Sequence, residues 1–450
     1  MNMKNSVMRW RFNWKQGSFM KNVLIMLSGT ATAQAISILA TPILARLYTP
    51  TQYGQLSVYM SLLSLAALFS GMGYERAIPM EKEEKDVPSL LMLCMIITVF
   101  LSVVLLAVVI LLVPIINKLW DINGVILLLP LSFLGYGLYN TLSYWALRTK
   151  SYGPLSRTKW VQGIGSLIIQ LISPFVGLGK MGLLLGDAFG RVAGTGTLLT
   201  RFLKSNGGEA PFLPWRGHGN KLFVLAKRYR QFPIYVTGGA LFNAAVLQSM
   251  PLFMSTYYSL HEAGAVAMVD KILGGPLMLL GMSISQVFYA EAMELSRTSP
   301  RELERLFYQT FKKLCKLGII PILLIMGIGP FAFQWVFGNE WADATKYIPL
   351  YAMLYGVNFL FSPLSSILES LRLQKWLFWW NLARFFSFSF CILTIVLLKL
   401  SAFYAVMLYT LILISFYIII FMMSKRAIAR YNHELNKNME EDHREHEVQI

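Results

Sequence analysis

Charged side chains inside long apolar runs are the residues of this 450-residue sequence that could do chemistry. A charge in hydrocarbon costs about 3 kcal/mol or more, so such a residue needs a polar partner, a water-filled cavity or a ligand. The cations outnumber the carboxylates, and a cationic cavity suits an anionic, phosphate-bearing cargo. The cations are Arg46, Arg191, Lys271 and Arg384, and the carboxylates are Asp187 and Asp270.

Asp187 and Arg191 are four residues apart, which places both side chains on one face of a helix and allows an ion pair. A glycine recurs beside them at every fourth position, from Gly182 through Gly186 and Gly190 to Gly194. Such a ridge lets another helix approach closely. Two interpretations are open: a structural ion pair beside a packing seam, or a charged wall of a cavity.

Asp270 and Lys271 precede the segment Gly274-Gly275-Pro276, where a helix can bend. Adjacent helical residues point about 100° apart, so these two need not pair with each other. Lys271 lies too deep in its apolar run to reach the membrane surface, which favours a cavity. Arg46 and Arg384 lie nearer the ends of their runs, and a side chain that extends to the headgroups is the open alternative for Arg46.

Composition indicates an all-α polytopic membrane protein. The chain is 56% hydrophobic and 14% charged, and nearly uncharged runs of 18 or more residues recur along its length. No Walker loop, nucleophile elbow or HExxH motif occurs, and the three cysteines have no metal spacing, so we predict no cofactor and no enzyme activity. We predict twelve spans at 22–46, 53–74, 89–115, 124–147, 156–177, 181–202, 232–257, 263–290, 315–337, 346–370, 376–398 and 401–423.

The loops predict that both termini are cytoplasmic. With this topology the inner segments hold 32 of the 40 Lys and Arg residues, whereas the outer ends and loops hold five. The net charge of +17 is thereby explained by the membrane, and we predict no nucleic-acid partner. All outer loops have about ten residues or fewer, which is too little for an outer catalytic domain.

Two internal matches predict a repeated architecture. LYTPTQYG (47–54) aligns with YYSLHEAG (257–264) at an offset of 210, and PLSFLGYG (130–137) aligns with PLYAMLYG (349–356) at an offset of 219. Six spans per half give two six-helix bundles related by a pseudo-twofold axis along the membrane normal. The predicted units are a cytoplasmic N-terminal segment (1–21), an N-terminal bundle (22–203), a cytoplasmic linker (204–230), a C-terminal bundle (231–424) and a cytoplasmic tail (425–450).

Two further segments are predicted from pattern. Ser299-Pro300 opens an amphipathic segment near residues 296–316, which we expect to be a helix on the membrane surface. The polar tail after Ser424 is expected to be frayed or disordered.

The stretch ARLYTPTQYGQLSVYMSLLSLAALFSGMGYERAI (45–78) resembles the polysaccharide biosynthesis, or Wzx-type O-antigen, flippases of the multidrug/oligosaccharidyl-lipid/polysaccharide exporter superfamily. AVAMVDKILGGPLMLL (265–280) resembles helix 8 of the same family. The resemblance implies alternating access around a central cavity in the bacterial inner (cytoplasmic) membrane. The implied cargo is an undecaprenyl-diphosphate-linked oligosaccharide, moved to the outer leaflet for surface polysaccharide such as the O-antigen of lipopolysaccharide.

The resemblance also implies partners and site roles. It implies coupling to a proton or sodium gradient, contact with membrane lipids and association with the polysaccharide polymerase machinery. The four cations would meet the diphosphate, and aromatic and amide side chains would contact sugars. Three such candidates are Tyr136, Tyr355 and Asn358.

Three alternatives remain beside this hypothesis. A multidrug antiporter of the same superfamily would use a membrane carboxylate, Asp187 or Asp270, for its coupling ion. A lipid II flippase differs only in cargo. A membrane polymerase or ligase for the same glycans would need larger outer loops than this sequence has.

Overall fold

The computed structural model describes residues 17–122, 124–205, 219–298, 300–371 and 373–448, and helices are the only regular secondary structure among them. Short 3-10 turns and two π-helical segments, Phe232–Thr237 and Met254–Tyr258, interrupt the α-helices. The α-helices are α1 (Gly17–Leu47), α2 (Pro50–Ala67), α3 (Val87–Trp120), α4 (Leu128–Arg148), α5 (Tyr152–Ile172), α6 (Lys180–Val192), α7 (Thr195–Ser205), α8 (Gly219–Arg228), α9 (Gly238–Phe253), α10 (Leu260–Thr298), α11 (Pro300–Phe337), α12 (Ile348–Phe361), α13 (Ser366–Ser370), α14 (Gln374–Leu397) and α15 (Ala402–Val448).

The chain is a multi-pass membrane protein, as composition predicts. Seven helices within the described ranges are long and apolar enough to cross a bilayer, and Ala31–Leu47 is a shorter apolar helix. The all-helical class is thereby confirmed. Twelve spans in two six-helix bundles, and the domain boundaries drawn from them, stay predictions.

The two segments of the first internal match pack against each other. Thr49 and Gln52 cap the start of α2 reciprocally, with Pro50 at the first helical position. α2 then crosses α10 so closely that the backbones of the two helices are in contact. A Cβ on Gly54 would lie 1.9 Å from the carbonyl oxygen of Leu260, and one on Gly264 would lie 1.7 Å from that of Pro50. Only glycine fits at both positions, and the reciprocal contacts keep the 210-residue offset.

Other matched residues also hold equivalent places. The Tyr48 hydroxyl donates to the Gln170 carbonyl at 2.6 Å, and the Tyr258 hydroxyl donates to the Leu400 carbonyl at 2.7 Å. In the second match, Gly137 of α4 packs closely against Thr98 of α3, and Gly356 of α12 packs against α11. Each of these matched residues therefore makes a similar contact within its own half of the chain.

One end of the bundle is closed by contacts between the two halves of the chain. We call it the closed end; it is formed by residues 44–56, 120–122, 124–129, 254–266 and 337–351, which contribute to one buried core. The Trp341 indole N–H donates to the Ala45 carbonyl at 2.8 Å, and its ring meets that of Tyr53 edge-on at 5.2 Å. The Trp120 indole N–H donates to the Thr256 hydroxyl at 3.1 Å.

At the opposite, open end the described residues form two separate cores. One is built from the first half together with α8, Tyr229 and Phe232. It is centred on Leu90, Trp145 and Phe202. The other belongs to the second half, around Phe288, Phe307 and Ile428. Because the halves share a core at one end only, a cleft opens between them at the other.

The structure corrects four details of the predicted spans. α2 ends at Ala67, before a turn with left-handed Met72 and Gly73, rather than at residue 74. The predicted span 181–202 is broken at Gly194, where φ is +86°, into α6 and α7. The amphipathic segment continues into the following span as α11, and its apolar stripe is buried against α10 and α15 instead of lying on a membrane surface. α15 continues as helix to Val448, so the tail is not frayed.

The predicted linker contains α8, which is bound to the first half by polar contacts. Lys221 approaches Asp86 at 2.9 Å, and Arg228 lies 3.3 Å from both Asp86 and Glu81. The Tyr229 hydroxyl donates to Glu81 at 2.9 Å. The first sixteen residues and residues 206–218 of the linker lie outside the described ranges.

A side chain at the glycine crossing should open the closed end. Gly54→Ala or Gly264→Ala places a methyl group inside the opposing backbone, which costs roughly 1–3 kcal/mol or more in overpacking. We expect a lower melting temperature of the purified protein. The control is Gly327→Ala in α11, where a Cβ meets nothing within 4 Å. Equal melting temperatures for all three variants would contradict the crossing.

The docking of α8 should depend on pH through Glu81. Burial raises the pKa of this carboxyl, but the Glu83 amide N–H and the Tyr229 hydroxyl outweigh burial and leave it below the ordinary value of 4.5. The stabilisation is therefore complete above that value and lost as pH falls through the lower pKa of the docked state.

A spin label on α8 at Phe223→Cys, an exposed position, measures this effect. It should become more mobile as pH falls below 4.5, and it should be more mobile already at pH 7 in Glu81→Gln, where only the Asp86 carboxylate still binds Lys221 and Arg228. Glu83→Gln alters an exposed side chain and serves as the control. A label that stays immobile in Glu81→Gln would show that Glu81 does not hold α8.

A charged cavity between the two halves

A cavity of about 690 Å³ lies between the halves, below the closed end. The first half contributes side chains from α1, α2, α5 and α6, and the second half contributes them from α9, α10, α12 and α15. The wall is mixed, with charged, amide, hydroxyl and aromatic groups among the apolar ones. Such a lining can hold a large polar ligand within the membrane.

Asp187 and Arg191 form the charged wall of the first half. Arg191 Nε donates to Asp187 Oδ2 at 2.7 Å and its Nη2 donates to Oδ1 at 3.3 Å, a two-point contact. The glycine ridge positions this pair: a Cβ on Gly186 would lie 2.7 Å from the Ser166 carbonyl oxygen, so α6 packs tightly on α5. The two interpretations from sequence are thus both realised, as an ion pair that lies on a packing seam and faces the cavity.

Asp270 and Lys271 face the cavity from the second half and do not pair with each other. Asp270 is exposed in the cavity and accepts a hydrogen bond from the Tyr355 hydroxyl. The Lys271 ammonium lies 5.7 Å from the ring centroid of Tyr53, across the boundary between the halves. Asp187 also acts electrostatically on Lys271, so it links charges of both halves.

α10 passes this region as one helix because small residues make room for its neighbours. A Cβ on Gly274 would lie 2.5 Å from the Tyr355 hydroxyl oxygen, and one on Gly275 would lie 2.5 Å from Gln34 Nε2 of α1. The two glycines therefore let the partner of Asp270 and a cavity amide approach α10.

The structure brings five of the nine predicted site residues into the cavity lining and places four elsewhere. The five are Asp187, Arg191, Asp270, Lys271 and Tyr355. Arg46 is exposed at the end of α1. Arg384 is buried between α9 and α14, where it donates to Asn243 and Asn381 and stacks on Trp380. Tyr136 lies on α4, and Asn358 donates to the Tyr417 hydroxyl at 3.1 Å.

One cation and several amides of the lining are not among the predicted site residues. Lys159 lies on α5, and its ammonium is 4.7 Å from the Tyr139 ring centroid. The topology count assigned it to a cytoplasmic loop. Gln162, Ser166 and Gln170 share its helix face, because their spacings from Lys159 are three, seven and eleven residues. This polar stripe is visible in the sequence and indicates that this face of α5 lines the cavity.

The Asp187–Arg191 pair should show strong energetic coupling. Asp187→Asn leaves a cation in a partly buried site and should cost roughly 2–4 kcal/mol, whereas the double variant with Arg191→Gln should cost less than the sum of the single variants. Thermal unfolding of the detergent-solubilised protein measures the cycle. The exposed pair Lys85–Glu83, at 3.6 Å, is the control and should couple by less than about 1 kcal/mol. Additive losses for Asp187 and Arg191 would contradict the contact.

Comparison with known proteins identifies similarities along most of the chain. A family model described as polysaccharide biosynthesis protein matches residues 43–346. The succinoglycan biosynthesis transport protein ExoT of Rhizobium meliloti (strain 1021) is 22% identical over 381 residues, which are 80% of this chain and 70% of that protein.

Solved structures of two transport proteins share the fold. The lipid II flippase MurJ in an inward closed conformation gives a TM-score of 0.65 at 11% identity, over 91% of this chain and 90% of that one. An inward-facing multidrug resistance transporter of the MATE family gives 0.61 at 11% identity, over 89% of this chain and 96% of that one.

Proposed function

The chain belongs to the polysaccharide biosynthesis protein family, and from this premise we propose that it moves a polyprenyl-diphosphate-linked oligosaccharide from the cytoplasmic to the outer leaflet of a bacterial inner membrane. The family resemblance expected from residues 45–78 and 265–280 is confirmed, and so is the fold of the exporter superfamily. The cargo, the direction of transport and the residues that bind the cargo are the content of the proposal.

The observation that carries the proposal is the charge pattern of the cavity. Its described lining holds three cations, Lys159, Arg191 and Lys271, against the carboxylates of Asp187 and Asp270. A diphosphate carries at least two negative charges, and a guanidinium with an ammonium binds it strongly. Arg191 is bound to Asp187 in this structure, so an arriving diphosphate exchanges with Asp187 as the partner of Arg191.

The remaining lining suits the sugar part of such a cargo. Amide groups of Gln34, Gln162 and Gln248 can donate to and accept from hydroxyl groups, and the rings of Tyr355 and Tyr409 can pack on sugar faces. The polyprenyl chain stays in the bilayer, because an apolar tail gains nothing from entering a polar cavity.

The conformation fits the loading step of alternating access. The halves share one core at the closed end and have separate cores at the open end. The positive-inside pattern supports an open end that faces the cytoplasm, with both termini there. A headgroup assembled on the cytoplasmic face would therefore enter the cavity in this state. Membrane lipids surround the protein during this step. The polysaccharide polymerase machinery is the partner that receives the cargo on the outer side.

A second candidate, an ion-coupled small-molecule antiporter, is favoured by one contact. Asp270 is a cavity-facing carboxylate that holds the Tyr355 hydroxyl, which is an arrangement that could exchange a cation. Efflux of cationic dyes from cells that express the protein tests this alternative. A lipid II flippase is the third candidate, and rescue of a strain depleted of lipid II transport tests it. We propose that the chain has no enzymatic step of its own.

Replacing the two facing cations should stop transport. The double variant Arg191→Ala and Lys271→Ala removes two of the three cavity cations, and surface polysaccharide should fall by at least tenfold, because each charge-assisted contact contributes about 1.5 kcal/mol or more. Surface polysaccharide is measured per amount of protein in the membrane fraction, because Arg191→Ala leaves Asp187 without its ion pair, and the lipid-linked oligosaccharide should accumulate on the cytoplasmic side.

Two further variants make this experiment selective. Arg191→Lys keeps the charge but not the two-point geometry, and should give an intermediate loss. Lys118→Ala removes an exposed cation at the end of α3 and should be neutral. Normal surface polysaccharide in the double variant would refute the assignment of the binding site.

A further inference from the structure

A second concave surface lies on the side of α5 that faces away from the charged cavity. It is a groove of about 710 Å³, lined by one face of α5 and by the ring of Phe189 from α6. Ile164 lies in this groove, whereas Gln162 lines the cavity, and two residues in a helix point about 160° apart. The helix α5 therefore separates the groove from the cavity.

The groove is apolar along most of its length. Trp160, Ile164 and Ile168 follow each other at spacings of four residues and form an exposed stripe along α5. A Cβ on Gly165 would lie 2.7 Å from the ring of Phe189, so the missing side chain lets this exposed ring lie against α5 and border the stripe. A concave surface of exposed apolar side chains is typical of contact with a partner or a lipid chain.

One cation, Arg157, stands at the end of the groove nearest the open end, where the neighbouring Leu155 belongs to the open-end core. The Arg157 side chain is exposed, and no ion pair in the described part of the chain holds it. Trp160 follows one turn later, and tryptophan is enriched where headgroups meet hydrocarbon. The end of the groove thus has the composition of a headgroup site.

The charge of the lining favours an anionic headgroup. Arg157 is the one charged residue among the described residues of the groove, and no carboxylate lies beside it. The ammonium of a zwitterionic headgroup would find no partner there, whereas a phosphate without such an ammonium can bind the guanidinium through two N–H groups.

The length of the groove matches one leaflet of a bilayer. Eleven residues separate Arg157 from Ile168, which is about 17 Å along a helix axis. A hydrocarbon core of about 30 Å gives about 15 Å to each leaflet. α5 overlaps the predicted span 156–177, which starts on the cytoplasmic side in the predicted topology. A phosphate at Arg157 therefore directs its chain along Ile164 and Ile168 to the middle of the bilayer.

We propose that this groove binds an anionic phospholipid of the cytoplasmic leaflet, with its phosphate at Arg157 and an acyl chain along α5. The lipid supports the cavity wall, because Phe189 lies between Asp187 and Arg191 in sequence and points away from their face of α6. A chain packed on the Phe189 ring holds α6 against α5. The inference goes beyond the proposed function and is independent of what the cavity carries.

Native mass spectrometry of the purified full chain in detergent tests the headgroup. Phosphatidylglycerol should be retained in preference to phosphatidylcholine at equal concentration. Arg157→Ala should weaken the binding of phosphatidylglycerol by roughly tenfold, the loss expected for one charge-assisted contact. The control is Lys375→Ala, which removes an exposed cation one turn from the exposed Trp379 of α14, outside the groove, and should leave binding unchanged.

A second pair of variants tests the shape of the groove and keeps Arg157. Ile164→Trp fills the groove at an exposed position and should weaken the binding of phosphatidylglycerol as much as Arg157→Ala does. Ile172→Trp adds the same ring at an exposed position of α5 beyond the groove, and it should bind as the wild type does.

Thermal unfolding measures the effect on the cavity wall. Added phosphatidylglycerol should raise the melting temperature of the wild type, because a ligand that binds the folded state stabilises it. Arg157→Ala and Ile164→Trp should lose most of this rise, and Ile172→Trp should keep it.

Four outcomes would overturn the proposal. Equal retention of the two phospholipids would contradict the anionic headgroup, and normal binding by Ile164→Trp would contradict the location. A loss in Lys375→Ala as large as that in Arg157→Ala would reduce the effect to general attraction between the protein surface and anionic lipid. Displacement of phosphatidylglycerol from the wild type by equimolar undecaprenyl phosphate would make the groove a site for a polyprenyl chain.

Discussion

The close crossing of α2 and α10 is the contact on which the rest of the structure depends. Because Gly54 and Gly264 have no side chains, each lies directly against a carbonyl group of the other helix. The two halves are therefore in backbone contact at this point. The crossing brings Tyr53 within 5.7 Å of Lys271 and forms the boundary between the shared core and the cavity. Two such helices can tilt against each other at the crossing point, but a lengthwise slide would drive Cβ atoms of flanking residues into the backbone.

The sequence predicts the all-helical class correctly, but it does not show where irregular backbone interrupts an apolar run. Hydropathy continues past Ala67 through Phe69 and Met72, whereas the helix ends at Ala67 and the chain then turns through left-handed Met72 and Gly73, a change that no hydropathy scale reports. The amphipathic start of α11 was misplaced for a related reason. A helix that rests on a membrane and one that packs on protein have the same apolar period, so the pattern alone does not tell which surface covers it.

The site was predictable where the partners are near in sequence. Asp187 and Arg191 form their pair across one helical turn, as their spacing predicts. Arg384 finds its acceptor on Asn243, 141 residues away, and this partner removes it from the cavity. A charge in an apolar run only requires some polar neighbour, which a long-range contact or a cavity supplies equally well. Lys159 shows the reverse error, since a cation near a predicted span end is within reach of a cavity as well as of a loop.

The docking of α8 has a consequence for how far the halves can part. Since α8 and Tyr229 are tied to the first half through Asp86 and Glu81, the connection to the π-helical segment runs only from Tyr229 to Phe232. A stretch of three residues reaches at most about 11 Å. This short connection keeps the two halves together along one edge of the protein, so that they can separate widely only along the opposite edge.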